Sequence, residues 1–426
     1  MKFILLDSSL ADFAGHHYEY AQHVLDAASQ AGYEPCLVAN RRFEAQHTRW
    51  PTEAAYKYGY WFHQGAPAWQ RWVHARVARV RSPRFAEAVS EHSARQVGCM
   101  PGTAWFRTAR AAVAASRRRQ FMRDTRTALG RLGVAEGDLI FAPSLSPDEL
   151  IALKRLRRTA PRFAAATWHL LLRRDVPVRR SLSRLTQSVR SLTCDRRPAT
   201  VRFWTDSNDL TQAYQRATAC PFGTLPIPHA CHVEAPRAAS GPCQVVFLGD
   251  ARREKGFHHL PRIVRALTAN DEHGRRFAFR FQSHSSASAA DPVIAAARYE
   301  LMELADHGVT LIDQALEHAA YRRLLAESHV TLLPYEAAAY ATRSSGVFAD
   351  SLAAVVPVVV PEGTWMAHQL PKGAGRVYRS LADVPAHVND LAGERLREPD
   401  PHPAWASAWR QQHNAHRLVK LLSEAF

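Results

Sequence analysis

Short apolar runs alternate along this chain with segments whose apolar residues recur every three to four positions. Phe3 to Leu6 is an unbroken apolar run and reads as a strand. Tyr18, Ala21, Leu25 and Ala28 follow at helical spacing, Gly32 ends that helix, and Glu34 to Ala39 supplies the next strand. A strand–helix–strand opening implies a parallel sheet covered by helices. Strand patterns return at Asp138 to Ala142, near Arg162 to Thr167, and at Val201 to Thr205. From residue 244 the alternation is regular. It predicts strands over 244–248, 277–282, 308–312, 329–333 and 356–360, and helices over 256–268, 291–306, 316–327, 345–353 and 381–391. Val355 to Val360 fits a strand buried on both faces, with Pro357 near its beginning. Ala404 to Phe426 is one helical pattern.

Two stretches break the alternation. Residues 60–131 are rich in Arg and Ala, carry several Trp and lack strand patterns, so they read as an insertion of amphipathic helices. Val73, Val77 and Val80 share one helical face there, with Arg76, Arg79 and Arg81 around them. Such a face suits either a membrane surface or packing on its own domain. Residues 221–243 are rich in Pro and Gly, as a linker is. The expected fold class is therefore α/β, with two Rossmann-like domains facing across a cleft and an Arg-rich helical insertion in the first. The expected divisions are 1–234, with the insertion at about 60–131, then 235–403, then a helix over 404–426 that crosses back to the first domain.

A length of 426 residues agrees with two cores, and 46% hydrophobic with 22% charged residues is a globular composition. No apolar run approaches the roughly 18–20 residues that span a bilayer. The start, Met1 to Asp7, meets a charge too early for a secretion signal. Six scattered cysteines with no C-x-x-C pair fit a reducing, cytoplasmic setting. The net charge of +16 is uneven: residues 1–234 hold 34 Lys and Arg against 19 acids, whereas 235–426 hold 21 against 20. A polarised field of this kind favours an anionic partner: the inner face of a membrane, a lipid-linked phosphate or nucleic acid. The plain alternative is an Arg-rich solvated surface. No recognised nucleic-acid motif accompanies the charge, so nucleic acid is the least favoured of these.

Two segments about a hundred residues apart carry the candidate chemistry. In the first, the run Val245 to Leu248 breaks at Gly249, and Arg252, Arg253, Lys255 and Gly256 follow. In the second, Leu332-Leu333-Pro334-Tyr335-Glu336 leads to Arg343-Ser344-Ser345-Gly346 and a helix that holds Asp350 about one turn inside. Cations beside a helix N-terminus suit a diphosphate, and the carboxylate suits a sugar hydroxyl. The competing readings are a basic surface turn and a plain serine cap. Gly15 and His16 lie in the loop after the first strand, where the domains should face one another; His17 is next to them. There is no Walker A loop, G-x-S-x-G elbow, H-E-x-x-H or D-x-D pair, so no metal or cofactor is expected.

Taken with the strand of Pro357 to Pro361, these segments resemble GT-B glycosyltransferases, and family 4 and its relatives most of all. The likeness is specific from about 244 to 365 and loose elsewhere; it includes the Gly15-His16-His17 loop and Gly32-Tyr33-Glu34. It implies a metal-independent, retaining hexosyltransferase whose partners are a nucleotide-diphosphate sugar and a carbohydrate or lipid-linked acceptor. The implied setting is bacterial envelope polysaccharide or glycolipid assembly, peripheral to an anionic membrane. By resemblance Arg252 and Lys255 hold the donor diphosphate, with Arg253 able to substitute for Arg252. Ser344, Ser345 and Gly346 offer amides, Asp350 takes the ribose, and His169 is the active-site histidine facing the donor sugar. Gly249 and Tyr335 complete the donor side. Arg173 or Arg174 would hold an anionic acceptor. The chain departs from the family's Glu-x7-Glu pattern at Thr342, where the first acid is missing. Glu336 and Arg343 are nearby substitutes for that acid, although neither matches the pattern. The rival readings are a nucleotide-sugar epimerase or hydrolase on the same scaffold, a family member that binds without turnover, and a nucleic-acid-binding protein.

Overall fold

The computed structural model describes residues 1–12, 16–59, 101–176, 180–193, 201–229, 241–269, 276–284, 291–395 and 403–424. Gly15, the side chain of His16 and the Val73–Val80 face lie outside the described residues.

The first domain runs β1 (Lys2–Leu6), α1 (His16–Gln30), β2 (Glu34–Asn40), β3 (Thr52–Tyr56), α2 (Pro101–Arg131), β4 (Leu139–Ala142), α3 (Pro147–Thr159), β5 (Thr167–Leu171), α4 (Arg180–Thr193), β6 (Val201–Thr205), α5 (Asn208–Thr218) and β7 (Gly223–Thr224). Its strands form one parallel sheet in the order β3-β2-β1-β4-β5-β6-β7. The second domain holds β8 (Cys243–Phe247), α6 (Leu260–Thr268), β9 (Phe277–Gln282), α7 (Pro292–Met302), β10 (Val309–Ile312), α8 (His318–Glu327), β11 (Val330–Leu332), α9 (Ala337–Tyr340), α10 (Gly346–Ala353), β12 (Val358–Pro361), α11 (Trp365–Gln369), β13 (Gly375–Tyr378) and α12 (Val384–Arg395). Its sheet, also parallel, has the order β10-β9-β8-β11-β12-β13. In both sheets the chain winds outward to one side of the first strand and returns on the other. That reversal opens a crevice at the strand C-termini.

Local chemistry fixes several helix starts. Ser146 and Glu149 form a reciprocal capping box ahead of Pro147 in α3. Ser207, Asp291 and Ser345 cap α5, α7 and α10 through their side-chain oxygens. β5 begins later than its sequence pattern suggests, because Pro161–Ala164 closes into a 3-10 turn and Trp168 Nε1 donates to Phe163 O at 2.8 Å.

The expected C-terminal helix is two helices, α13 (Ala404–Gln412) and α14 (Ala415–Glu424). Asn414 makes the break: its Nδ2 donates to Arg410 O at 2.9 Å, and its Oδ1 accepts from Arg417 N at 2.8 Å. α14 buries Ala415, Leu418, Val419 and Leu422 in the same core layer as Val24, Leu25 and Ala28 of α1. In α2, Val113, Phe121, Ala128 and Leu129 are buried, with Phe121 stacked on Tyr56 at 5.1 Å. That part of the basic insertion therefore packs on its own domain. Among the described residues no helix is long and apolar enough to cross a membrane.

Candidate active site

The two sequence segments meet where β8 and β11 end, on either side of the reversal in the second sheet. Gly249 follows β8 with φ +91° and donates its amide to Gln282 Oε1 at 2.7 Å. A Cβ placed on Gly249 would lie 2.4 Å from Lys255 Nζ and 3.7 Å from Val347 Cγ2 of α10. The glycine thus makes room for the ammonium and brings it beside the start of the helix.

Arg253–Lys255 forms one 3-10 turn closed by Gly256 at φ +71°. The turn rests on the end of β11, and Glu336 N donates to Glu254 O at 3.0 Å. Lys255 Nζ stands 5.8 Å from the centre of the Tyr335 ring and has no ion-pair partner among the described residues. Desolvation, reinforced by the Arg252 guanidinium, pushes the Lys255 ammonium down to about 8. Arg252 Nη1 pairs with Glu254 at 3.0 Å, and Arg343 Nη2 approaches the same carboxylate at 3.7 Å. Arg343 also lies over the Tyr340 ring at 4.7 Å. Three cations thus converge on one corner of the cleft.

Ser345 caps α10 by accepting from Phe348 N at 3.3 Å. The amides of Gly346 and Val347 find no acceptor among the described residues, and a first helical turn supplies none. Nothing lies within 4 Å of a Cβ placed on Gly346, and its φ is ordinary. Gly346→Ala should therefore leave unfolding stability unchanged or raise it by up to roughly 0.5–1 kcal/mol. If a diphosphate approaches those amides, the same variant should raise KM for a nucleotide-sugar donor. A KM equal to that of the parent would separate Gly346 from the donor.

Asp350, one turn further in, accepts from Tyr321 OH at 3.0 Å. Tyr335 is buried against Tyr340 with ring centres 4.5 Å apart, so it forms the floor of the site, and burial drives its phenol far up. Glu336 is exposed at the start of α9. Arg253 is committed elsewhere: its Nε and Nη2 each bind Asp291 at 2.6 Å. Spacing leaves Arg252 and Arg253 interchangeable; the salt bridge selects Arg252 for the cation cluster.

His169 requires a correction. It lies inside β5, wholly buried, rather than at the strand end. Its Nδ1 accepts from Trp204 Nε1 at 2.9 Å, and its ring stacks on Trp204 with centres 5.8 Å apart. Burial, with a smaller push from Arg202, brings it down to about 3, so it is a neutral core residue. β5 runs four residues beyond the expected end at Thr167 and so takes His169 into the strand.

What the first domain presents at its strand C-termini is a buried polar cluster. Asp7 follows β1, and its Oδ2 meets His17 Nδ1 at 3.0 Å. Burial would raise the Asp7 carboxyl, but His17, the Ser9 amide and Arg173 together hold it below the carboxylate range. Arg173 follows β5; its guanidinium sits 4.6 Å over the Tyr20 ring and its Nε is 3.4 Å from Asp206 Oδ2. Burial pushes Tyr20 up to about 12. Asp206 follows β6, is buried and raised by that burial, and leaves Oδ1 without a partner among the described residues. Asp7, Asp206 and Gln282 were not singled out in the sequence. The available signal was position: each is a polar residue at or just beyond the end of a buried strand.

The domains are stitched together through the segment before α10. Ser344 Oγ donates to Asp206 Oδ2 at 2.6 Å, Ser207 Oγ to Thr342 O at 2.5 Å, and Thr342 Oγ1 to Asp175 Oδ1 at 2.9 Å. Thr342, which replaces the acid expected from the family pattern, thus serves as a bridge to the first domain. His318 of α8 meets Glu19 of α1 at 2.7 Å, and His368 meets Asp209 at 3.2 Å.

No protein-family model and no curated protein matches the sequence. Solved structures match from end to end. A trehalose-6-phosphate synthase aligns with TM-score 0.65 and 12% identity, covering 100% of each chain. The N-terminal domain of Candida albicans trehalose-6-phosphate phosphatase aligns with TM-score 0.65 and 13% identity, covering 100% of this chain and 97% of that one. A UDP-forming α,α-trehalose-phosphate synthase from Burkholderia xenovorans aligns with TM-score 0.62 and 13% identity, covering 100% of this chain and 98% of that one. The fold is GT-B. At such identities the likeness is one of fold, and it does not point to family 4 in particular. In this GT-B frame the cation cluster and the α10 amides lie on the second-domain wall of the cleft, and the Asp7–Arg173–Asp206 cluster lies on the first-domain wall.

Proposed function

We propose that the chain is a glycosyltransferase that moves a sugar from a nucleotide-diphosphate donor to a carbohydrate hydroxyl. The observation that carries this reading is the convergence of Lys255, Arg252 and the unpartnered amides of Gly346 and Val347 around Gly249. Such a corner grips a diphosphate and stabilises it further as charge grows on it during departure. The UDP-forming neighbour supports a nucleoside diphosphate as the leaving group. In this reading Asp350, which accepts from Tyr321, takes the ribose hydroxyls.

The donor's bond from the anomeric carbon to the diphosphate oxygen breaks, and a bond from that carbon to the acceptor oxygen forms. The acceptor's proton passes to the departing diphosphate, the nearest base on the same face, which gives retention. No protein nucleophile is needed. The acceptor lies at the ends of β1, β5 and β6, where Arg173 and Asp206 face the cleft. In this reading His169 supports Trp204 from behind and does not touch the donor.

The test is a melting-temperature screen against sugar nucleotides of different bases, followed by turnover with and without sugar acceptors. Stabilisation that grows with the logarithm of ligand concentration and turnover that requires an acceptor are the expected results. Rapid conversion of donor alone to free sugar or an epimer would replace the transferase with a hydrolase or epimerase. Absence of any sugar-nucleotide effect would end the proposal.

A further inference from the structure

A second concentration of positive charge lies on the outer face of the first domain. α3 and α4 pack side by side, and a groove of about 450 Å³ opens between them. α3 begins at the C-terminal edge of its sheet, so its later turns lie toward the opposite edge, away from the cleft. Those turns supply Ile151, Lys154, Arg155 and Arg158 to the groove, and α4 supplies Arg184 and Gln187. The α3 residues are spaced three, four and seven apart, which sets them along one face.

None of these four cations is in an ion pair among the described residues. Elsewhere the domain pairs its arginines readily: Arg41 with Asp124 at 3.1 Å, Arg118 with Asp148 at 2.6 Å and Arg131 with Glu53 at 3.2 Å. Between residues 151 and 193 the sequence holds a single acid, Asp175, and that acid is at the cleft, bonded to Thr342. Like charges three and four residues apart repel. The fold therefore keeps a self-repelling cluster around a concave space, with no counter-charge paired to it among the described residues. Guanidinium groups match phosphate oxygens in a two-pronged geometry, and four cations on two helices exceed what one monoanion needs.

We propose that this groove binds phosphate groups, independently of the cleft. Ile151 lines the groove beside the four cations. A free diphosphate and the headgroups of an anionic phospholipid offer the same chemistry, and two probes separate them.

Pyrophosphate is titrated calorimetrically, and flotation is measured with phosphatidylglycerol vesicles against phosphatidylcholine vesicles, using the full chain. The double variant Arg158→Glu, Arg184→Glu should lose affinity for the binding probe by about tenfold or more. Because the donor corner is itself proposed to hold a diphosphate, parent and groove variants are compared in a Lys255→Ala background, where binding by the groove should persist and fall with the double variant. Arg158→Gln with Arg184→Gln should fall between, and gives the answer if charge reversal impairs folding. Arg216→Glu, an exposed change on α5, should have no effect. Binding of pyrophosphate alone identifies a soluble phosphate ligand; binding of phosphatidylglycerol vesicles alone identifies a lipid. The inference is overturned if neither probe binds, if the double variant binds as the parent does, or if RNA outcompetes both probes.

Discussion

Lys255→Ala should lower sugar transfer by roughly 10²–10³-fold, the scale of losing one group that stabilises charge in a transition state. The fold should survive. Desolvation holds the Lys255 ammonium at about 8, below its ordinary value, so the charged form costs stability. For an amine whose folded value is lowered, that cost is fully present below about pH 8 and is relieved as pH rises toward the unfolded value. At neutral pH the alanine variant should therefore melt no lower than the parent, apart from the packing lost with the side-chain stem. The same titration predicts that kcat/KM for the donor declines above about pH 8, as the free enzyme loses the charge that grips the diphosphate. Bound diphosphate raises the ammonium again, so the decline in kcat should begin at higher pH. Lys255→Arg should flatten the profile. A fully active Lys255→Ala, or a profile that Lys255→Arg does not change, would remove Lys255 from the reaction.

The second large effect is expected at Gly256. Its φ of +71° already disfavours any side chain, and a Cβ there would lie 1.7 Å from Pro334 O, a backbone atom that cannot swing aside. Gly256→Ala must move either the 3-10 turn or the end of β11. Destabilisation of about 3 kcal/mol or more is expected from denaturant unfolding. Because Lys255 sits on that turn and Tyr335 follows Pro334, donor affinity should fall even where the variant is still folded. A Gly256→Ala protein as stable as its parent would show that the turn and the strand end are not in contact.

Much of the second domain was legible because its strands are buried on both faces. Runs such as Val245–Phe247 and Val358–Val360 have no polar interruption to mislead the reading. β3 and β13 were not legible: Thr52–Tyr56 has no continuous apolar face, and Gly375–Tyr378 is short, with Gly and Arg in it. β7 has two residues and exists through its neighbour. At the site, what could be read was local. Gly249, Lys255 and the Ser345–Gly346 cap belong to contiguous turns whose backbone needs show in the residues. What could not be read was tertiary. Asp291, nearly forty residues on, draws Arg253 away from Arg252. The end point of β5 decides whether His169 faces the cleft or the core. Asp206 becomes a cleft residue because Ser344, from the other domain, reaches it.

The bridge from Thr342 and Ser344 to Asp175, Asp206 and Ser207 has a kinetic consequence. The lobes cannot part without releasing the few residues that set the entry of α10, and those residues aim the Gly346 and Val347 amides. If the second domain holds a nucleotide as proposed, separating the lobes would slacken that hold in the same motion. In the proposed transferase, loss of product and entry of donor would then be coupled through hydrogen bonds that no substrate atom needs to touch.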